Sequence, residues 1–168
     1  FQLLEAQIAD IADDMTYHAH DVDDGLEAGL IEPADLEPLE LWRRARAHAE
    51  QQYPGLSGEH SVLVTVRNLL DLQVEDALES TARRLAEWAP ASVADVMNAP
   101  GRTAAFSDSM ASMLQPFRAF LFERVYWSPM VADANRDSVG LMRRLFLHYV
   151  AHPETMGAKA RARLNEEG

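Results

Sequence analysis

The chain has 168 residues, 48% of them apolar and 25% charged, which is long enough for a hydrophobic core and too apolar for a disordered segment. It has no cysteine, which excludes disulfides and thiolate chemistry and fits a reducing compartment, the cytoplasm. The formal net charge is −12 and unevenly placed: residues 1–42 hold twelve Asp and Glu with no Lys or Arg, while 43–168 hold fifteen of each sign.

That asymmetry excludes more than the total does. An acidic first quarter repels phosphates, so nucleic acid is not expected as a direct partner of this segment. Its compensating charge should come from elsewhere, as a metal ion or as protein upstream of Phe1. No apolar run approaches ~18 residues, so no membrane span is expected. The opening Phe1-Gln2-Leu3-Leu4-Glu5 has neither a basic leader nor an initiator Met, and reads as a chain entered in its middle.

The first predicted element is a helix over Leu3–Leu30, with no Pro or Gly through residue 24. Leu4, Ile8, Ile11, Met15, Val22 and Leu26 recur at helical spacing and form its apolar face. Asp10, Asp13, Tyr17, His20, Asp21 and Asp24 gather opposite. No Lys or Arg lies three or four residues away to offset the carboxylates. A solvated acidic surface would have this pattern, but so would a face turned toward a cation, a metal or a polar ligand, and a Tyr and a His inside the stripe favour the second.

The helix should stop near Gly25–Gly29. Pro33 opens a short segment, and 35–42 leads into a helix that ends before Pro54. After the turn cluster at 53–58, Ser57 or Ser61 is placed to cap a long helix running to about Trp88 and closed by Pro90. Its predicted apolar stripe is Val62, Val66, Leu69, Leu70, Val74, Ala77, Leu78, Thr81 and Leu85. Ser92 caps a short helix over 93–98, and 101–107 is a loop. Ser107 or Ser109 starts a helix to Trp127 with Met110, Met113, Leu114, Phe117, Phe120, Leu121 and Val125 inward, which Pro116 either kinks or begins. Ser128-Pro129 starts the last long helix, which carries Val131, Val139, Met142, Leu145, Phe146 and Tyr149 and stops before Pro153. The tail ending in Glu166-Glu167-Gly168 adds a further helical turn. No strand pattern or repeat is present, so the expected fold is all-α, a bundle-like array of helices forming one domain, or part of one, over 1–168.

The stretch from Glu5 to Leu30, with its Asp13-Asp14 pair, Tyr17, His20-Asp21 and Asp23-Asp24-Gly25, resembles the signature helix of the dGTPase-like proteins, the deoxynucleoside triphosphate triphosphohydrolases of the HD superfamily. The likeness is dense over these 26 residues and continues more weakly through 66–76, 114–127 and 145–153. It implies the C-terminal part of an HD-superfamily helical domain, with 1–30 as its active-site helix and 31–168 as the helices that follow.

The resemblance also implies a site. Asp13 matches the distant Asp of the family's metal set, and Tyr17 and Asp21 match positions that face the substrate deoxyribose. The His and the His-Asp pair that complete the metal set would lie upstream of Phe1. His20-Asp21 is a His-Asp dipeptide on a different helix from that motif. The implied cofactor is a divalent metal such as Mg²⁺ or Mn²⁺, which would polarise the α-phosphate and activate water, releasing triphosphate and a deoxynucleoside. The implied partners are a deoxynucleoside triphosphate, the upstream part of the protein and further copies in a homo-oligomer. Triphosphate-binding Arg or Lys must come from outside the acidic helix, which has none.

Other constellations carry less. His148 and His152 are i,i+4 but lack the Glu and third ligand of a zinc motif, so they read as a surface pair at a helix end. No Glu-x-x-His pair, phosphate loop or nucleophile motif is present. Met110 and Met113 read as core. The paired arginines at 43–44, 83–84 and 143–144 read as solvated, with Arg67 as a possible phosphate contact. Two functions are open: the C-terminal portion of a metal-dependent dNTP triphosphohydrolase, inactive as this chain alone, or a non-catalytic helical module that binds nucleotide or protein.

Overall fold

The structure, a computed structural model, describes residues 2–167. All regular structure among them is helical: α1 (Leu4–Glu27), α2 (Pro33–Leu36), α3 (Glu40–Gln52), α4 (Gly58–Trp88), α5 (Val93–Met97), α6 (Asp108–Leu121), a π-helical segment (Phe122–Tyr126), α7 (Pro129–Ala151), a 3₁₀ turn (Pro153–Thr155) and α8 (Ala158–Glu167). Gly168, the last residue of the predicted tail, lies outside the described residues. The chain divides into two compact units, residues 1–125 and 126–168.

In the first unit α3 and α4 pack together most extensively, and α1 lies against α4 and α6. Leu36, Leu41, Trp42, Leu69, Phe117 and Leu121 are its most deeply buried large apolar side chains. The predicted inward face of α6 is borne out, with Met110, Met113, Leu114, Phe117, Leu121 and Val125 buried and Phe120 half-buried.

Local chemistry explains most helix ends. α1 stops into Gly29, whose φ of +66° is the left-handed geometry glycine tolerates. α5 has a complete capping box, Ser92 with Asp95. The Ser107 hydroxyl accepts from Met110 N–H and Ser128's from Val131 N–H. Ser57 occupies the N-cap of α4 without a side-chain bond. α4 ends on Ala89 at φ +46°, because Pro90 disfavours continued α geometry in the residue before it.

Four expectations are corrected. Ile8 is exposed, and the buried line of α1 is instead Gln7, Met15, His18, Val22 and Gly25 with Ala19. This seam repeats at three and four residues and is narrower than the apolar face drawn from composition. Val74 and Leu78 are exposed on α4, whereas polar Thr65, Asn68, Gln73 and Ser80 are buried, because Thr65, Asn68 and Gln73 donate to backbone carbonyls and Ser80 accepts from Arg84 one turn on. Pro116 lies inside α6 and does not start it, and the helix, which runs on nearly to the predicted Trp127, changes from α- to π-geometry after Leu121. Arg84 is not solvated: it donates to Ser80 Oγ (2.7 Å) and to the Ala105 and Phe106 carbonyls (2.6 and 2.8 Å). It therefore fastens the 101–107 loop to α4.

In the second unit α7 has no buried residue, and Val139, Met142, Phe146 and Val150 are 64–68% exposed. No helix of the described residues is long and apolar enough to cross a membrane.

Candidate functional site on the first helix

Asp13, Tyr17 and Asp21 follow one another at four-residue steps on α1, each rotated ~40° and advanced ~6 Å from the last. They form one gently winding line that starts away from the buried seam at Asp13 and reaches its margin at Asp21. Asp13 is exposed, Tyr17 is 56% exposed, and Asp21 is half-buried. Burial raises the Asp21 carboxyl above its usual pKa of 3.8; Asp24 adds to the rise and His20 opposes it. The Thr16 hydroxyl donates to the Asp13 carbonyl (2.8 Å).

The acidic stripe is partly neutralised from within the chain, which corrects the expectation that its counter-charge lies elsewhere. Arg102, in the loop before α6, donates to Asp10 Oδ2 at 2.7 Å. Arg118, on α6, donates through Nη2 to Asp14 Oδ2 at 2.9 Å. Both pairs are about half exposed, so each stabilises the fold by little, about 0–1 kcal/mol. Their larger effect is to place two guanidiniums beside the line of Asp13, Tyr17 and Asp21.

Arg118 is oriented from below. Its Nε donates to His18 Nε2 at 2.8 Å, and His18 Nδ1 lies 2.7 Å from Gln73 Oε1. The Gln73 amide nitrogen donates to the Leu69 carbonyl (2.8 Å), leaving Oε1 as acceptor. Since an arginine N–H only donates, His18 is the neutral tautomer with its proton on Nδ1. Burial lowers the His18 pKa below its usual 6.5; the Gln73 bond opposes this, Arg118 adds to it and Asp14 opposes it. The His18 ring also meets Phe117 edge-on, with centroids 6.1 Å apart. A second buried amide fixes the start of the helix: Gln7 Oε1 accepts from the Thr103 and Ala104 N–H groups (2.9 and 3.2 Å).

Sequence reasoning missed His18, Gln73, Gln7 and both arginine partners. One signal was present: His18 falls between Met15 and Val22 on the three-and-four spacing that continues to Gly25. The arginine pairings span 92 and 104 residues and had no local trace.

No group of three or more His, Cys, Asp or Glu side chains among the described residues is arranged to hold a metal. Asp13 can therefore be at most one of several ligands, and the residues described do not by themselves fit a divalent ion. The His148 and His152 rings lie 5.1 Å apart, tilted at 43°, at the end of α7, with His148 Nε2 3.2 Å from Thr155 Oγ1 and His152 3.4 Å from Glu154. They are a surface pair, as expected. Arg67 is exposed and reaches Asp71 at 3.9 Å.

Comparison with known proteins covers nearly the whole chain and singles out the C-terminal region. Residues 104–168 match the Phosphohydrolase-associated domain family. A "Deoxyguanosinetriphosphate triphosphohydrolase-like protein" of Ralstonia pickettii (strain 12J) is 32% identical over 164 residues, covering 98% of this chain and 42% of the relative. Its counterpart in Ralstonia nicotianae is 33% identical over 95% of this chain and 41% of its own length, and that of Brucella ovis 35% over 93% and 39%. The chain thus spans about two fifths of the curated relatives it matches. Over nearly its whole length the chain is therefore similar to part of the deoxyguanosinetriphosphate triphosphohydrolase-like proteins, and its residues 104–168 match the phosphohydrolase-associated family.

Proposed function

We propose that this chain forms the sugar-facing wall of a deoxynucleoside triphosphate triphosphohydrolase whose metal centre is completed by residues outside it. The observation that carries the reading is the line Asp13–Tyr17–Asp21, on a helix whose neighbouring seam is held by the buried Gln7, His18 and Gly25. An exposed tyrosine between two carboxylates, on a rigid helix rather than a loop, offers a flat wall and a hydrogen-bond acceptor at fixed spacing. In this reading Tyr17 lies against the deoxyribose and leaves no room for a 2′-hydroxyl, Asp21 accepts from the 3′-hydroxyl, and Asp13 is one ligand of the divalent ion. The names of the relatives support the phosphohydrolase class, and the choice of deoxynucleotides is part of the proposal.

The test separates Asp21 from the acidic background. Asp23 lies two residues on, roughly 160° around the helix. In the complete protein, Asp21→Ala should lower kcat/KM on dGTP roughly ten- to a hundredfold, the ~1.5–3 kcal/mol of a charge-assisted hydrogen bond. Asp23→Ala should stay near wild type. Tyr17→Ala should instead relax discrimination between dGTP and GTP, because the lost element is steric. Equal behaviour of Asp21→Ala and Asp23→Ala would leave only a solvated acidic face.

A further inference from the structure

On the other side of α1 from this line, where its C-terminal turn meets the start of α4, the surface opens into a groove of about 690 Å³. That volume lies within the ~300–1,000 Å³ typical of ligand sites. Leu26, Val62 and Leu63 give it an apolar floor, and Leu63 is 57% exposed. Glu27, Glu32 and Glu59 line its edge, and no Lys or Arg does. None of the three glutamates forms an ion pair among the described residues, in contrast to Asp10 and Asp14 higher on the same helix.

The complementary chemistry is carried by this same chain. α8 brings Lys159, Arg161 and Arg163 within five residues, followed by Leu164 at 48% exposure. None of these cations is in an ion pair among the described residues. We propose that the groove seats α8 of a second copy, Leu164 entering the apolar floor and the three cations meeting the glutamate edge.

An amphipathic helix laid into an apolar groove is a recurring mode of recognition, and opposite potentials fix its register. Each copy holds one groove and one α8, so every copy can both give and receive the contact. Because the charges sit at the edge, they should govern the salt dependence and the choice of partner, while the apolar floor supplies the anchor.

The test uses charge exchange in the complete protein, with circular dichroism confirming that each variant folds. A fluorescein-labelled peptide of residues 157–165 should bind the wild-type protein, about tenfold more weakly at 0.5 M than at 0.05 M salt. Glu27→Lys/Glu59→Lys should weaken that binding tenfold or more. In sedimentation velocity, Arg161→Glu/Arg163→Glu and Glu27→Lys/Glu59→Lys should each lower the assembled mass, and combining the two pairs in one chain should restore it. A peptide that does not bind, or binds the charge-reversed groove equally well, overturns the proposal. So does peptide binding with an unchanged mass in Arg161→Glu/Arg163→Glu, because the occupant would then be another protein.

Discussion

Replacing His18 by Leu tests the buried link between α1, α4 and α6. Leucine keeps the site apolar and roughly filled, so the change isolates the polar contacts. Gln73 is fully buried, and its Oε1 would lose its partner, a cost of about 1–3 kcal/mol. Loss of the edge-on contact with Phe117 adds about 0.5–1.5 kcal/mol. Arg118 adds little, because its side chain is 42% exposed and water replaces the imidazole. The expected destabilisation is about 2–4 kcal/mol, read as a lower urea midpoint at unchanged slope. Gln73→Met should cost about 1–3 kcal/mol, since it orphans the His18 Nδ1–H. The double variant should cost less than the sum of the two by about 1–2 kcal/mol, because both orphaned groups vanish together. The pH dependence supplies a second reading. The His18 pKa is depressed on folding, so its contribution is complete above 6.5, declines as pH falls below that value, and levels off below the folded pKa. Gln73, Arg118, Asp14 and the Phe117 edge are the groups that face it. This decline should be absent from His18→Leu. Additive single variants, or an identical acid slope in His18→Leu, would refute the linked network.

Asp21→Asn should raise the melting temperature at pH 7 and lose that advantage in acid. The native carboxyl has a raised pKa, so its favourable contribution is complete below 3.8 and lost as pH rises through the folded value. Gly25→Ala places a Cβ 3.1 Å from Ile31 Cδ1 and 3.1 Å from Val125 Cγ2, both on buried side chains. Overpacking of about 1–3 kcal/mol should exceed the ~1 kcal/mol helix gain, so thermal unfolding should show a net loss. Arg84→Met keeps the stem but removes the donors to Ala105 and Phe106, and should cost about 1–3 kcal/mol with faster amide exchange in 101–107.

Helix positions were legible because their signals are local. Ser92 with Asp95, Ser107, Ser128-Pro129 and Pro153 each act within one turn, and the elements begin or end there. The α6 core was legible for the same reason, since one dense apolar stripe admits one inward face. Burial along α4 was not. Val74 and Leu78 have the right residue type but point away from the packed side, while Asn68 and Gln73 are taken in because Ala45 and Leu69 carbonyls receive them. At the candidate site, Asp13, Tyr17 and Asp21 could be placed on one outward line from helical geometry alone. Arg102 and Arg118 could not, because nothing within a turn of Asp10 or Asp14 announces a partner about a hundred residues away.

The amide of Gln7 accepts from Thr103 and Ala104, 96 and 97 positions later in the chain, and His18 waits for Arg118, 100 positions on. This separation matters during synthesis. α3 and α4 lie close in sequence and can pair as soon as both have emerged, but α1 has no complete seam until α6 follows. At about 5–20 residues per second, roughly 5–20 s pass before Gln7 and His18 on the first helix meet Thr103, Ala104 and Arg118.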